Sequence, residues 1–153
     1  MSSPFTFDTI ASFVGREIGA TGWETVSQAR IDAFAECTGD RQWIHVDAER
    51  ARRESPFGTT IAHGFLTLST IADGALELLV EPLAAGRTIN CGVDKVRFIA
   101  PVRADARIRS RFSIASAVPK GPDRLLITLN VTVEIAGEEQ PALTGLLVFM
   151  VSR

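Results

Sequence analysis

Two side chains in the run Gly39-Asp40-Arg41-Gln42-Trp43-Ile44-His45-Val46-Asp47 have the types and spacing for proton transfer, a carboxylate at Asp40 and an imidazole at His45. Imidazole is the side chain whose ordinary pKa lies nearest neutrality, and a carboxylate within reach of it completes an acid–base pair. Further along, Ala62-His63-Gly64 precedes a long apolar run. The first N–H groups of a helix have no partner within it, so those at this helix start are expected to bind the negative charge that develops on a polarised carbonyl. Each residue also has a plainer reading. Asp40 directly after Gly39 would serve as a turn cap, and His45 between Ile44 and Val46 as a hydrogen-bonded core histidine. Gln42 either orients a water on the substrate side or holds the loop, the loop being the better reading. Trp43 reads as a hydrophobic plug, and His63 as a structural residue orienting the start of the helix.

The elements that must position these groups are marked by their caps. Ser27 and Gly39 bracket a helix from about Gln28 to Thr38, with Ile31, Phe34 and Ala35 on one face. Asp47 caps a second, from about Ala48 to Glu54, which ends before the breaker cluster Pro56-Phe57-Gly58. Asp40 and His45 are therefore expected in a loop between two helices. From Gly64 to Val80, apolar residues cover most of a helix circumference, which predicts a helix surrounded by other structure.

Four strand-like runs follow: Thr88 to Ile99, Ala106 to Ala117, Arg124 to Ile135 and Ala142 to Val151. In the second, Ile108, Phe112 and Ile114 alternate with Arg107, Arg109 and Arg111, the period-two pattern of a sheet with one wet face. In the third, Leu125, Ile127, Leu129, Val131, Val133 and Ile135 share one side. Turn residues at Ala100-Pro101, Pro119 to Asp123 and Ala136 to Glu138 make the connections short, which favours a meandering antiparallel sheet packed on the buried helix. The class is α+β, one domain over residues 1–153.

Composition narrows the field of activity. A net charge of −2 gives no global field toward nucleic acid or an anionic membrane. The apolar stretch from Gly64 is interrupted by Asp73 and Glu77 and is too short for a comfortable membrane span. Two cysteines, Cys37 and Cys91, are too few for a secreted disulfide framework, and the stretch Met1 to Asp8 lacks the pattern of a signal peptide, so a cytoplasmic setting is expected. Cys37, Cys91, His45 and His63 match no paired-ligand spacing, so no metal is expected. Ser69 lacks a Gly-x-Ser-x-Gly elbow, and no Gly-rich phosphate loop follows a strand.

The segment Phe34-Ala35-Glu36-Cys37-Thr38-Gly39-Asp40 with His45, followed by Ile61-Ala62-His63-Gly64-Phe65, resembles the MaoC-like dehydratases, also called (R)-specific or type 2 enoyl-CoA hydratases. The motif resemblance covers roughly Trp23 to Val102. It implies a hot-dog fold, an antiparallel sheet wrapped around a long central helix, and a homodimer. It also implies that Asp40 and His45 activate one water, that the Gly64 N–H is an oxyanion-hole donor, and that the substrate is an acyl-CoA or acyl-carrier-protein thioester. No cofactor beyond the coenzyme A of the substrate is implied. The common motif has Asn-Pro where this chain has Gln42-Trp43, and that form, with Asn90 to Phe98, looks like a subgroup that includes nodulation protein N-like proteins. The expected reaction is reversible hydration of a trans-2-enoyl-CoA to (R)-3-hydroxyacyl-CoA. The alternatives are a hot-dog acyl-CoA thioesterase and a non-catalytic acyl-thioester binding module.

Overall fold

In the computed structural model, which describes residues 5–153, the first long helix begins and ends where its caps dictate. Met1–Pro4, part of the stretch read for a leader, lie outside the described residues. The Ser27 side chain accepts the Arg30 N–H, and α1 runs Gln28–Thr38 until Gly39 turns the chain at φ 83°. Glycine occupies that left-handed position without the steric penalty of a Cβ. A single-turn helix α2, Trp43–Val46, comes next and carries His45. It corrects the expected loop, in which so short a helix has no periodicity to reveal it. The third, α3, spans Ala48–Glu54, with Asp47 accepting the Arg50 N–H.

The long helix α4 covers Gly64–Ala75 and continues in a wider π turn, Leu76–Val80. Leu66, Ile71, Ala75 and Leu79 are buried against the sheet, and each of the leucine and isoleucine side chains contributes roughly 1.5–3 kcal/mol. The opposite stripe is exposed within this chain: Phe65 is 68% accessible, and Ser69, Ala72 and Leu76 follow it at helical spacing. The expectation of a helix covered on all sides is thus corrected, since one chain covers one side.

Six antiparallel strands face that helix: β1 (Glu17–Ala20), β2 (Glu24–Thr25), β3 (Arg87–Phe98), β4 (Arg107–Pro119), β5 (Arg124–Ile135) and β6 (Leu143–Ser152). Their order is β1-β4-β5-β6-β3, with β2 also on β4. From β4 to β6 the chain meanders as expected. The first of the four predicted strands does not join that meander beside β4 but lies on the far edge, against β6. Residues 99–106 must therefore cross the end of the sheet. On the way Val102 accepts the Ala62 N–H at 2.7 Å and Ala104 donates to the Thr60 carbonyl at 2.9 Å, so the crossover fixes the segment that enters α4. The short β1 and β2 lack the alternation that marks the later strands.

Candidate active site

The Asp40–His45 pair is assembled from three directions. Thr38 and Gly39 end α1 and turn Asp40 outward, where its carboxylate is exposed and receives one long hydrogen bond, 3.4 Å, from the Gln42 backbone N–H. The turn-capping role is thus present but weak. Arg41 is drawn the other way, into a two-point pair with Glu36 (2.9 Å for both bonds) that holds the Glu36 carboxyl below its usual range. Asp40 is therefore left without a cation of its own on this loop. The Asp40 carboxyl is not desolvated within this chain.

His45 is buried, and its orientation is fixed at both ends. Its Nδ1 lies 2.7 Å from the Ile61 carbonyl, which has no proton to give, so Nδ1–H donates and Nε2 keeps its lone pair. Its own carbonyl accepts from Gln28 Nε2 at 2.8 Å, and the same amide nitrogen donates to Asp32 at 2.8 Å. Thr60 in turn donates to the Gln28 amide oxygen. Gln28 thereby ties α1, α2 and the approach to α4 together. Nothing in the sequence marked it, because its partners lie 17 and 32 residues away. Burial lowers the His45 pKa most, the Ile61 bond opposes this, and the charges of His63 and Asp40 act in opposite directions. The net shift is downward, so near neutral pH His45 is a free base with an available Nε2.

His63, read from sequence as orienting the start of α4, makes no side-chain cap to that helix. Its ring stacks on His45, centroids 3.9 Å apart and planes 25° apart, with Phe34 packed on it at 5.0 Å. Its Nε2–H donates to the Asp40 carbonyl at 2.9 Å, while Nδ1 is buried without a partner among the described residues. Such an atom ordinarily costs about 1–3 kcal/mol.

Ligand atoms of Asp40, His45 and His63 all lie within 4.8 Å of one another. One nitrogen of each imidazole is engaged with a backbone carbonyl. Gly64 opens α4, where its N–H is among the donors the helix leaves free, and the Phe98 ring lies only 3.0 Å from where a Cβ would stand. An apolar hollow of about 220 Å³ adjoins Gly64, lined by Ile61, Thr67, Phe98, Ile99 and Val102 among others. A second, about 370 Å³, lies between α4 and β3 around Leu68, Ala72, Cys91 and Val93. Gln42 is exposed, and its side chain makes no hydrogen bond among the described residues. Trp43 is half-buried beneath the Arg50 guanidinium at 4.3 Å, a stacked surface and not a sealed plug.

An antiparallel sheet around one long helix, with Asp40 and His45 close together beside the helix start, defines a hot-dog domain. Residues 9–134 match the MaoC like domain, and the chain belongs to the MaoC-like dehydratase family. It is 47% identical over 138 residues to nodulation protein N of Rhizobium leguminosarum bv. viciae, covering 89% of this chain and 84% of that one. It is 39% identical over 140 residues to 3-hydroxyacyl-thioester dehydratase Z of Mycobacterium tuberculosis, covering 90% and 91%. Among solved structures, the monoamine oxidase regulatory protein from Archaeoglobus fulgidus superposes with a TM-score of 0.77 at 25% identity, over 98% of this chain and 95% of that one. No helix among the described residues is long and apolar enough to cross a membrane.

Proposed function

We propose that the protein is an (R)-specific enoyl-CoA hydratase, adding water reversibly to a trans-2-enoyl-CoA to give (R)-3-hydroxyacyl-CoA. One observation carries this reading. His45 has its Nδ1 committed to the Ile61 carbonyl, which leaves Nε2 free as a base, and a nitrogen of the same ring lies within 4.8 Å of the Asp40 carboxylate. A water between them loses a proton to the pair and its oxygen bonds to C3, while the C2=C3 electrons shift toward the thioester carbonyl. The oxygen of the resulting enolate is stabilised by the Gly64 N–H. The proton held by the pair then goes to C2, so one water supplies both added groups.

The reaction itself calls for neither metal nor redox cofactor. The hollow beside Gly64 suits the start of the acyl chain. The similarity to a 3-hydroxyacyl-thioester dehydratase supports an acyl-thioester substrate. A homodimer is supported by the outer edge of β3, which has no neighbouring strand among the described residues and whose exposed Ile89, Val93 and Phe98 continue the exposed stripe of α4. Such a partner would also supply the cover that Asp40 lacks. Two exposed, unpaired cysteines support a cytoplasmic setting.

The test is a spectrophotometric hydration assay on crotonyl-CoA and a longer enoyl-CoA, with thiol release followed in the same cuvette. Asp40→Asn and His45→Gln are each expected to lower kcat by ~10²–10⁴-fold while remaining folded. Thiol release in place of hydration would make the protein a thioesterase. Tight binding without turnover in wild type would make it a binding module and sink the hydratase reading.

A further inference from the structure

His63 spends its polar edge on the catalytic loop instead of on its own helix. As the residue preceding α4 it stands where a side chain could cap the helix, yet it makes no cap bond, and its Nδ1 is left buried and without a partner among the described residues. What the ring does instead is join three elements. Its Nε2–H reaches 23 residues back to the Asp40 carbonyl, one face stacks on His45, and Phe34 of α1 packs against it at 5.0 Å. At 3% accessible it is among the most buried polar side chains described.

We propose that His63 is a positioning residue, setting the separation and orientation of the Asp40 carboxylate and the His45 imidazole by holding the backbone of one and the ring of the other. The proposal rests on the hydratase reading for its effect on rate, and on geometry alone for its effect on His45. Removing either contact lets one member of the pair move without the other, and a displacement of about 1 Å in such a pair can cost ~10²-fold in rate. The role is distinct from that of a second base, because Nε2 carries the proton donated to Asp40 and Nδ1 is enclosed.

Charge gives an independent signature. The titratable groups facing His45 are Asp40 from the loop and His63 from the start of α4; its remaining polar neighbours are the Ile61 carbonyl and Gln28. His63 opposes protonation of His45 and Asp40 favours it, so loss of the His63 imidazole should make His45 easier to protonate.

Two variants separate the contacts. His63→Gln keeps an N–H for the Asp40 carbonyl and removes the ring; His63→Phe keeps the ring face and removes the N–H. Both are expected to lower kcat on crotonyl-CoA by ~10–10²-fold with KM changed less than about threefold, the pattern of lost transition-state alignment. The acidic limb of the His63→Gln rate profile is expected to move to higher pH. The chain has only two histidines, so His63→Gln leaves one imidazole, whose NMR titration should lie above that of His45 in wild type. Nitrogen-15 shifts of the wild-type protein should show the His63 proton on Nε2.

Folded variants with wild-type kcat and an unmoved His45 titration would overturn the proposal, as would a His63 proton found on Nδ1. If wild type hydrates nothing, the hydratase reading fails, and the titration and the tautomer still decide this one. If both variants fail to fold, the wild-type tautomer decides it.

Discussion

β5 and β3 belong to the same sheet, are both 12 residues long and both pair with β6, yet their apolar side chains meet opposite fates. In β5 every second residue from Leu125 to Ile135 is buried, and Leu129 is wholly inaccessible. In β3 only Thr88 and Val96 are even half-buried, while Ile89 is 51% and Val93 49% accessible. β3 carries fewer apolar residues than β5, but it is cover that decides the fate of those it has. α4 lies over β5 and turns its own exposed stripe toward the β3 side, so the chain completes one half of its apolar surface and leaves the other for something else to complete.

The largest effect expected within this contrast is at β5. Leu129→Ala should cost about 2–5 kcal/mol of folding stability, because the lost side chain leaves a cavity under a helix that cannot collapse into it. Urea unfolding followed by circular dichroism measures it. A loss below about 1 kcal/mol would mean that β5 is not the enclosed strand its burial indicates.

The same contrast explains what could be read from the chain alone. β5 was legible residue by residue because its burial is imposed by its own chain, so hydrophobic alternation and solvent exclusion coincide. α1 and α3 were legible because Ser27, Gly39 and Asp47 state their ends in local chemistry. For β3 the run was legible but its neighbour was not. A strand's pairing partner depends on where residues 99–106 cross, and no local residue specifies that. In the site, Asp40, His45 and the helix start at Gly64 were visible as types at a spacing. Gln28, the Ile61 carbonyl and the true contacts of His63 were not, since each acts across 16 or more residues and through backbone atoms that carry no sequence identity.

The site shows the same contrast in small, with His45 buried and Asp40 exposed, and its pH response should show how far His45 is enclosed. The folded-state pKa of His45 is depressed below the ordinary value of about 6.5, so acid favours the unfolded chain. The contribution to stability is fully present above pH ~6.5 and is lost as pH falls toward the folded pKa. Urea midpoints of wild type should therefore decline between pH 7.5 and 5 more steeply than those of His45→Gln. Parallel curves would place His45 in contact with water, against the burial on which its role as a neutral base depends.

The smallest cost to the chain itself is expected where the surface is unfinished. Val93→Asp puts a charge on the exposed face of β3, where it breaks no enclosed packing, so the variant should unfold within about 1 kcal/mol of wild type when both are monomeric. Its effect should fall instead on association. If a second copy covers β3 and the outer stripe of α4, wild type will sediment at twice the 16.5 kDa of one chain and its melting temperature will rise with concentration, whereas the variant will do neither. The comparison breaks if Val93→Asp unfolds the isolated chain as severely as Leu129→Ala, for then β3 is held from within. It sharpens if the variant stays folded, dissociates and loses hydration together, because Asp40 would then be shown to need the cover that only a partner brings.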